Sequence, residues 1–195
     1  AVDGEKVSGK YKYFNKPFGT RHWLENGEGM GINDRTGDVI DEDAVIILID
    51  PDMIIIRPIR ADYSNDREVL QQVFKGENFI RKKRVEHGHP FASKYGFGTK
   101  WETFNLDVIT GDVNSPAKKT SKTDGFRYFT AGPPYIATAR DMYRIVAKWA
   151  DYAPLVNAQF PHLLGEMYAY SVAAAHLNLP HQLLSSLMVS DQTVR

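Results

Sequence analysis

The sequence contains no cysteine, which excludes disulfides, thiolate metal sites and a cysteine nucleophile. That absence does not fix the redox compartment, because domains of oxidising compartments can lack cysteine too. An excess of one charge is also missing. The 24 basic and 24 acidic residues give a formal net charge of +0, so nothing favours broad attraction to nucleic acid or to an anionic membrane. No apolar run approaches the length of a membrane span, and the stretch Ala1-Val2-Asp3-Gly4-Glu5-Lys6 has no signal-peptide pattern. The spacing of a Walker loop or of a dinucleotide-binding fingerprint is missing from residues 93–101. Residues 93–101 nevertheless mix glycines, aromatics and lysines as a loop approaching a ligand closely would. What is present is ample apolar material. Of the 195 residues 43% are hydrophobic, enough for the core of one compact domain spanning 1–195.

The densest of that material is the run Ala44-Val45-Ile46-Ile47-Leu48-Ile49-Asp50-Pro51-Asp52-Met53-Ile54-Ile55-Ile56. Apolar at every position up to Asp50 and rich in β-branched residues, its first half predicts a strand buried on both faces, the pattern of a central strand in a parallel sheet. Pro51 cannot donate to a ladder and biases Asp50 toward extended backbone, so the strand ends there. Residues i and i+2 of extended chain point the same way, which directs Asp50 and Asp52 at one cation. Two hard oxygen ligands without cysteine or a nearby histidine suit magnesium or manganese, with a phosphorylated ligand completing the shell. The alternative is an Asp-Pro-Asp turn with solvated carboxylates. The hydrophobic strand before it favours the site, because open α/β sheets bind ligands at their strand carboxyl ends.

Elsewhere, Asn15 is placed to cap a helix with Pro17 in its first turn and Phe18, Trp23 and Leu24 on its apolar side, ending near Asn26 and Gly27. Residues 27–43 read as an acidic, glycine-rich loop. A short helix is expected from Asp66, with Val69, Leu70, Val73 and Phe74 on one face and Gly76 at its end. The basic cluster Arg81-Lys82-Lys83-Arg84 precedes His87-Gly88-His89, a pair that either binds a metal or is simply exposed. Residues 112–125 read as a polar, lysine-rich loop, Phe126-Arg127-Tyr128-Phe129 as a strand, and Gly132-Pro133-Pro134 as a rigid bend. Thr138 and Asp141 open a helix whose Met142, Ile145, Val146 and Trp149 fall at i, i+3, i+4 and i+7. A last helix runs over residues 165–176, stopped by Asn178 and Pro180. Glu166 lies at its start, either favouring the helix dipole or serving as a buried acceptor for a sugar hydroxyl or a substrate proton.

Four blocks, in this order, carry a resemblance. Asn15-Lys16-Pro17 with His22-Trp23-Leu24, Ile49-Asp50-Pro51-Asp52-Met53-Ile54, Gly132-Pro133-Pro134-Tyr135-Ile136 and Glu166-Met167-Tyr168-Ala169-Tyr170 resemble the ordered motifs of plant and algal hydroxyproline O-arabinosyltransferases and the related peptidyl serine α-galactosyltransferases. The match spans most of the chain. What the resemblance implies is a glycosyltransferase-A fold, an α/β (Rossmann-like) mixed sheet flanked by helices. It further implies a UDP-sugar donor, a divalent cation (Mn2+ or Mg2+), retention of anomeric configuration and a hydroxyproline- or serine-bearing protein acceptor. A lumenal setting in the Golgi or endoplasmic reticulum rests on the resemblance alone, since these residues carry no targeting segment.

Under that resemblance Asp50 and Asp52 hold the cation against the departing nucleoside diphosphate. Lys16 and His22 either contact the diphosphate and donor or remain surface polar groups. Glu166 stands on the acceptor side as the candidate catalytic residue, expected within a few side-chain lengths of the Asp50 and Asp52 pair. Trp101 and Tyr135 either offer flat surfaces to a sugar or peptide or belong to the core. The resembled enzymes also carry a nucleotide-binding strand and helix ahead of the Asn15 block, and a histidine beyond the Glu166 helix. These residues are therefore expected to be a fragment incomplete at both ends, lacking an upstream strand beside residues 44–49 and a downstream histidine directed toward Asp52. Such a piece would bind nucleotide sugar poorly and associate through its uncovered edge. Two other classes compete. One is a non-catalytic glycosyltransferase-like subunit or glycoprotein-binding module in a larger assembly; the other is a magnesium-dependent phosphohydrolase, disfavoured because no nucleophile motif follows the strand.

Overall fold

The computed structural model describes residues 12–65 and 83–188. A 3-10 turn at Lys12–Phe14 leads into helix α1, Asn15–Asn26, in which Asn15 is the first helical residue rather than the cap. Gly27 ends it, donating its N–H to Trp23 O at 2.7 Å. A four-stranded sheet is built from β1 (Val45–Leu48), β2 (Phe91–Lys94), β3 (Ala131–Thr138) and β4 (Gln182–Leu184), in the order β1-β3-β2-β4. Strands β1 and β2 run antiparallel to β3, while β4 runs parallel to β2. The sheet is therefore mixed and, with its helices, forms an α/β arrangement.

The central strand is not the one that the apolar pattern indicates. β3 is buried at every position, whereas β1 is an antiparallel edge strand of the described sheet, with Ile47 39% exposed. Packing explains the difference. On β3, Tyr135 and Ala137 enter the larger core and Ile136 the smaller one on the opposite face; on β1, Ile46 and Leu48 reach only the margin of the first core and Val45 that of the second. Ile54, Ile55 and Ile56, which continue the apolar run, are exposed.

Gly132-Pro133-Pro134 belongs to β3 instead of forming a bend. The ladder with β2 slips between Ala92, opposite Tyr135, and Ser93, opposite Gly132. Both prolines fall within that slip, where a missing N–H costs no ladder bond. The Pro133-Pro134 peptide is cis.

Residues 112–129, expected as a loop and then a strand, hold helices. After α2 (Leu106–Thr110) come α3 (Pro116–Lys119) and α4 (Lys122–Tyr128). Each is capped by a side-chain oxygen: Asn105 accepts from the Val108 N–H, Ser115 from Ala117 and Ser121 from Asp124. These caps outweigh the strand-like run of aromatics at 126–129.

The long helix α5 (Ala139–Gln159) and helix α6 (Gly165–His176) pack against one another and against β3. Thr138 Oγ1 caps α5 by accepting from the Asp141 N–H at 3.4 Å. The Asp141 carboxylate turns instead to the Gly88 N–H, at 2.5 Å, so only half of the capping box forms. Met142, Ile145, Val146 and Trp149 are buried, as their spacing requires. Asn178 takes a left-handed conformation (φ 53°) while Leu179 N–H donates to Ala174 O at 2.9 Å, which closes α6.

His87-Gly88-His89 is half-buried rather than simply exposed. His87 is engaged through both ring nitrogens, with Thr138 Oγ1 at 2.8 Å and Asp43 Oδ1 at 2.9 Å. The helix expected from Asp66 to Gly76, with Arg81 and Lys82, lies outside the described residues; Lys83 and Arg84 are exposed. No helix among the described residues is long and apolar enough to cross a membrane.

Candidate active site

Asp50 follows β1 closely, and the chain turns at once: the Met53 N–H donates to Asp50 O at 3.0 Å, closing a tight turn over Pro51 and Asp52. The two carboxylates therefore sit on a turn rather than on extended backbone, and strand alternation does not aim them. Asp50 is partly buried and Asp52 is exposed. They share a neighbour in Tyr95, whose hydroxyl is pushed up to about 12 by burial first and then by the charges of Asp50 and Asp52.

Lys16, from the first turn of α1, joins this turn to α6. Its Nζ lies 2.7 Å from Asp50 Oδ1 and 3.5 Å from Glu166 Oε1, so one ammonium holds two carboxylates from distant segments. Glu166 is 3% exposed and sits in the first turn of α6, where a negative charge also suits the helix N-terminus. Its backbone is anchored by the Trp149 indole, whose Nε1–H donates to Glu166 O at 2.8 Å. Burial raises the Glu166 carboxyl to about 7, with Lys16 opposing that rise and Asp50 adding to it.

Tyr135 on β3 is fully buried within electrostatic reach of this group. Burial, then the charge of Glu166, holds its phenol well above the ordinary tyrosine range. Its ring stacks on Tyr170, with centroids 3.9 Å apart. The Tyr170 O–H donates to His181 Nε2 at 2.8 Å, because the Leu179 carbonyl, at 3.1 Å, can only accept and so assigns the proton to Nδ1.

Other sequence candidates are placed differently. His22 is exposed and pairs with Asn26, whose Nδ2 lies 3.2 Å from His22 Nδ1. Six residues along a helix rotate it about 120° away from the Lys16 side. Trp101 and Tyr135 are both fully buried; Trp101 packs edge-on to Phe129, so each is core and neither offers a face to a ligand.

Sequence reasoning does not pair Tyr95 with Gly132, yet they fit together. A Cβ on Gly132 would lie 2.1 Å from Tyr95 Cδ2 and 2.4 Å from Cγ, so only glycine admits the ring. The seated ring donates its O–H to Met188 Sδ at 3.0 Å. Both residues lie in stretches that stand out, 93–101 and the Gly-Pro-Pro block, but no spacing pairs them. Gly132→Ala is expected to cost about 1–3 kcal/mol by overpacking, read from urea unfolding. Tyr95→Ala in the same chain should recover part of that loss; an undiminished alanine penalty without the ring would refute the fit.

The donor set suits a particular kind of cation. Among the described residues no group of three or more His, Asp or Glu side chains gathers. Asp50 and Asp52 offer carboxylate oxygens, a donor type that magnesium and manganese prefer and zinc does not, and any further ligands would come from water or phosphate. Asp50 Oδ1 is closed to solvent and already draws the Lys16 ammonium, so this position attracts positive charge. Compared with known protein families, with curated proteins and with solved structures, the chain matches none.

Proposed function

We propose that these residues form the catalytic domain of a metal-dependent retaining glycosyltransferase, moving arabinose or galactose from a UDP-sugar to hydroxyproline or serine of a protein in the Golgi or endoplasmic reticulum lumen. One observation carries this reading. The four blocks behind the resemblance meet: Lys16 of the first bridges Asp50 of the second and Glu166 of the fourth, and Tyr135 of the third lies within electrostatic reach of both carboxylates.

Asp50 and Asp52 would hold magnesium or manganese, which when bound supplies positive charge to the diphosphate as it leaves. Lys16 carries a second positive charge on a flexible stem beside that pair, adding to the positive potential felt by a diphosphate. Glu166, buried beside that ammonium with its carboxyl near 7, accepts a hydrogen bond from a sugar or acceptor hydroxyl and can take its proton as the new glycosidic bond forms. Tyr135 contributes by closing the adjoining core to water.

Calorimetry of UDP binding with and without manganese tests this assignment. The unmodified protein is expected to bind UDP at least about tenfold more tightly with manganese, an increment of about 1.4 kcal/mol. Asp52→Asn should lose the increment while its unfolding free energy stays within about 0.5 kcal/mol of the parent, because the residue is exposed. Binding of UDP that manganese does not strengthen, or no UDP binding with or without manganese, would move the assignment to a non-catalytic subunit or glycoprotein-binding module.

A further inference from the structure

We propose, taking Asp50 and Asp52 as the cation's ligands, that Lys16 is a resident counter-ion which must leave Asp50 before a divalent cation binds there, and that Glu166 receives it. The Lys16 Nζ is in direct contact with Asp50 Oδ1 at 2.7 Å, and that oxygen has no solvent-facing surface. A divalent ion on either oxygen of this carboxylate repels the neighbouring ammonium, and one that takes Oδ1 needs the lone pairs that Lys16 now holds. Lys16 has somewhere to go. Glu166 Oε1 is already 3.5 Å away, is equally closed to solvent, and lies within the sweep of a four-carbon stem.

Opposite signs follow for the two side chains, although neither is a ligand of the cation. An ammonium competing for Asp50 lowers apparent cation affinity by the fraction of molecules in which the oxygen is free. Removing it should therefore tighten binding. Glu166 stabilises the displaced ammonium, so neutralising Glu166 should weaken binding, and should do so only while Lys16 is present to be displaced.

The test uses manganese alone, with the free ion followed by electron paramagnetic resonance at about pH 8. Lys16→Met is expected to bind Mn2+ about tenfold more tightly than the parent, and Glu166→Gln several-fold more weakly. In the Lys16→Met background, Glu166→Gln should change affinity little. Lys16→Gln, a second uncharged variant, should match Lys16→Met and guards against a folding defect specific to either. Unchanged or weaker binding in both Lys16 variants would overturn the displacement. An equal loss from Glu166→Gln in both backgrounds would reduce Glu166 to a general field effect and overturn its role as acceptor. The underlying cation assignment fails separately if Asp52→Asn leaves Mn2+ affinity untouched while Lys16 is intact.

Discussion

Acidification from pH 6.5 to pH 3 is expected to cost this fold on the order of 5 kcal/mol through His181 alone. His181 is 1% exposed, and burial pulls its pKa from the usual 6.5 down to about 3, only partly offset by its bond to the Leu179 carbonyl. Between those two values the unfolded chain binds a proton that the native chain refuses. Stability is therefore fully present above pH 6.5 and drains away as pH falls toward 3. Protonating Nε2 would reverse the bond from Tyr170, so that the Tyr170 oxygen accepts and its own hydrogen gives up the acceptor it now has. Glu166 has the opposite sign. Its carboxyl, raised from 4.5 to about 7, keeps a proton in the native chain that the unfolded chain has lost, so its contribution is present below pH 4.5 and disappears as pH rises through 7. Between pH 4.5 and 6.5 the two slopes oppose each other, and stability should vary little there on their account. Urea unfolding across this range, on the parent and on His181→Gln, separates them. Glutamine still offers an oxygen to Tyr170 but cannot titrate, so the acid limb should become shallower; parallel limbs in the two proteins would show that His181 is not the group responsible.

The parts of this fold that could be read in advance are those governed by local chemistry. The core face of α5 follows from the 3.6-residue recurrence of Met142, Ile145, Val146 and Trp149, its start from Thr138 Oγ1, and the stop after α6 from Asn178. Sheet order is different, because it depends on which strand finds packed layers on both faces. The isoleucine-rich run looks central by composition and lies at an edge, while Gly132-Pro133-Pro134 looks like punctuation and lies in the middle. The missed helices, α3 and α4, announce themselves only through Ser115 and Ser121, caps that a lysine-rich stretch hides. At the site, residue types suggest Asp50 and Asp52, and the carboxyl edge of the sheet suggests Glu166 near them, but the Lys16 bridge that joins Asp50 to Glu166 appears only in the long-range geometry, since ion pairs between distant segments leave no periodicity. The same holds for the fit of Tyr95 against Gly132. His22 shows the converse: it shares α1 with Lys16, and the helical rotation alone separates them.

Trp149→Ala is expected to destabilise the protein by about 3–5 kcal/mol, the range for a fully buried tryptophan, whereas Trp149→Phe should cost only about 1–2 kcal/mol. The indole has no exposed surface and lies edge-on to Tyr135 at 5.9 Å and to Tyr170 at 5.1 Å, so α5, α6 and β3 all meet on it. Alanine would leave a cavity at that junction, bordered by two rings that are themselves fixed by stacking. Phenylalanine fills most of the space and forfeits chiefly the Nε1–H bond to Glu166 O. That carbonyl lies inside α6, where the helical bond pattern also engages it, so it is not left bare when the indole N–H is gone. The consequence for the site should then exceed the consequence for the fold: a freer first turn of α6 lets Glu166 drift from Lys16, and manganese-dependent UDP binding should weaken in Trp149→Phe by more than its stability loss suggests. Guanidinium unfolding of both variants, alongside UDP calorimetry on Trp149→Phe, checks the two halves. If phenylalanine proves as costly as alanine, the hydrogen bond rather than the packing holds α5 against α6, and Glu166 owes its position to that single contact.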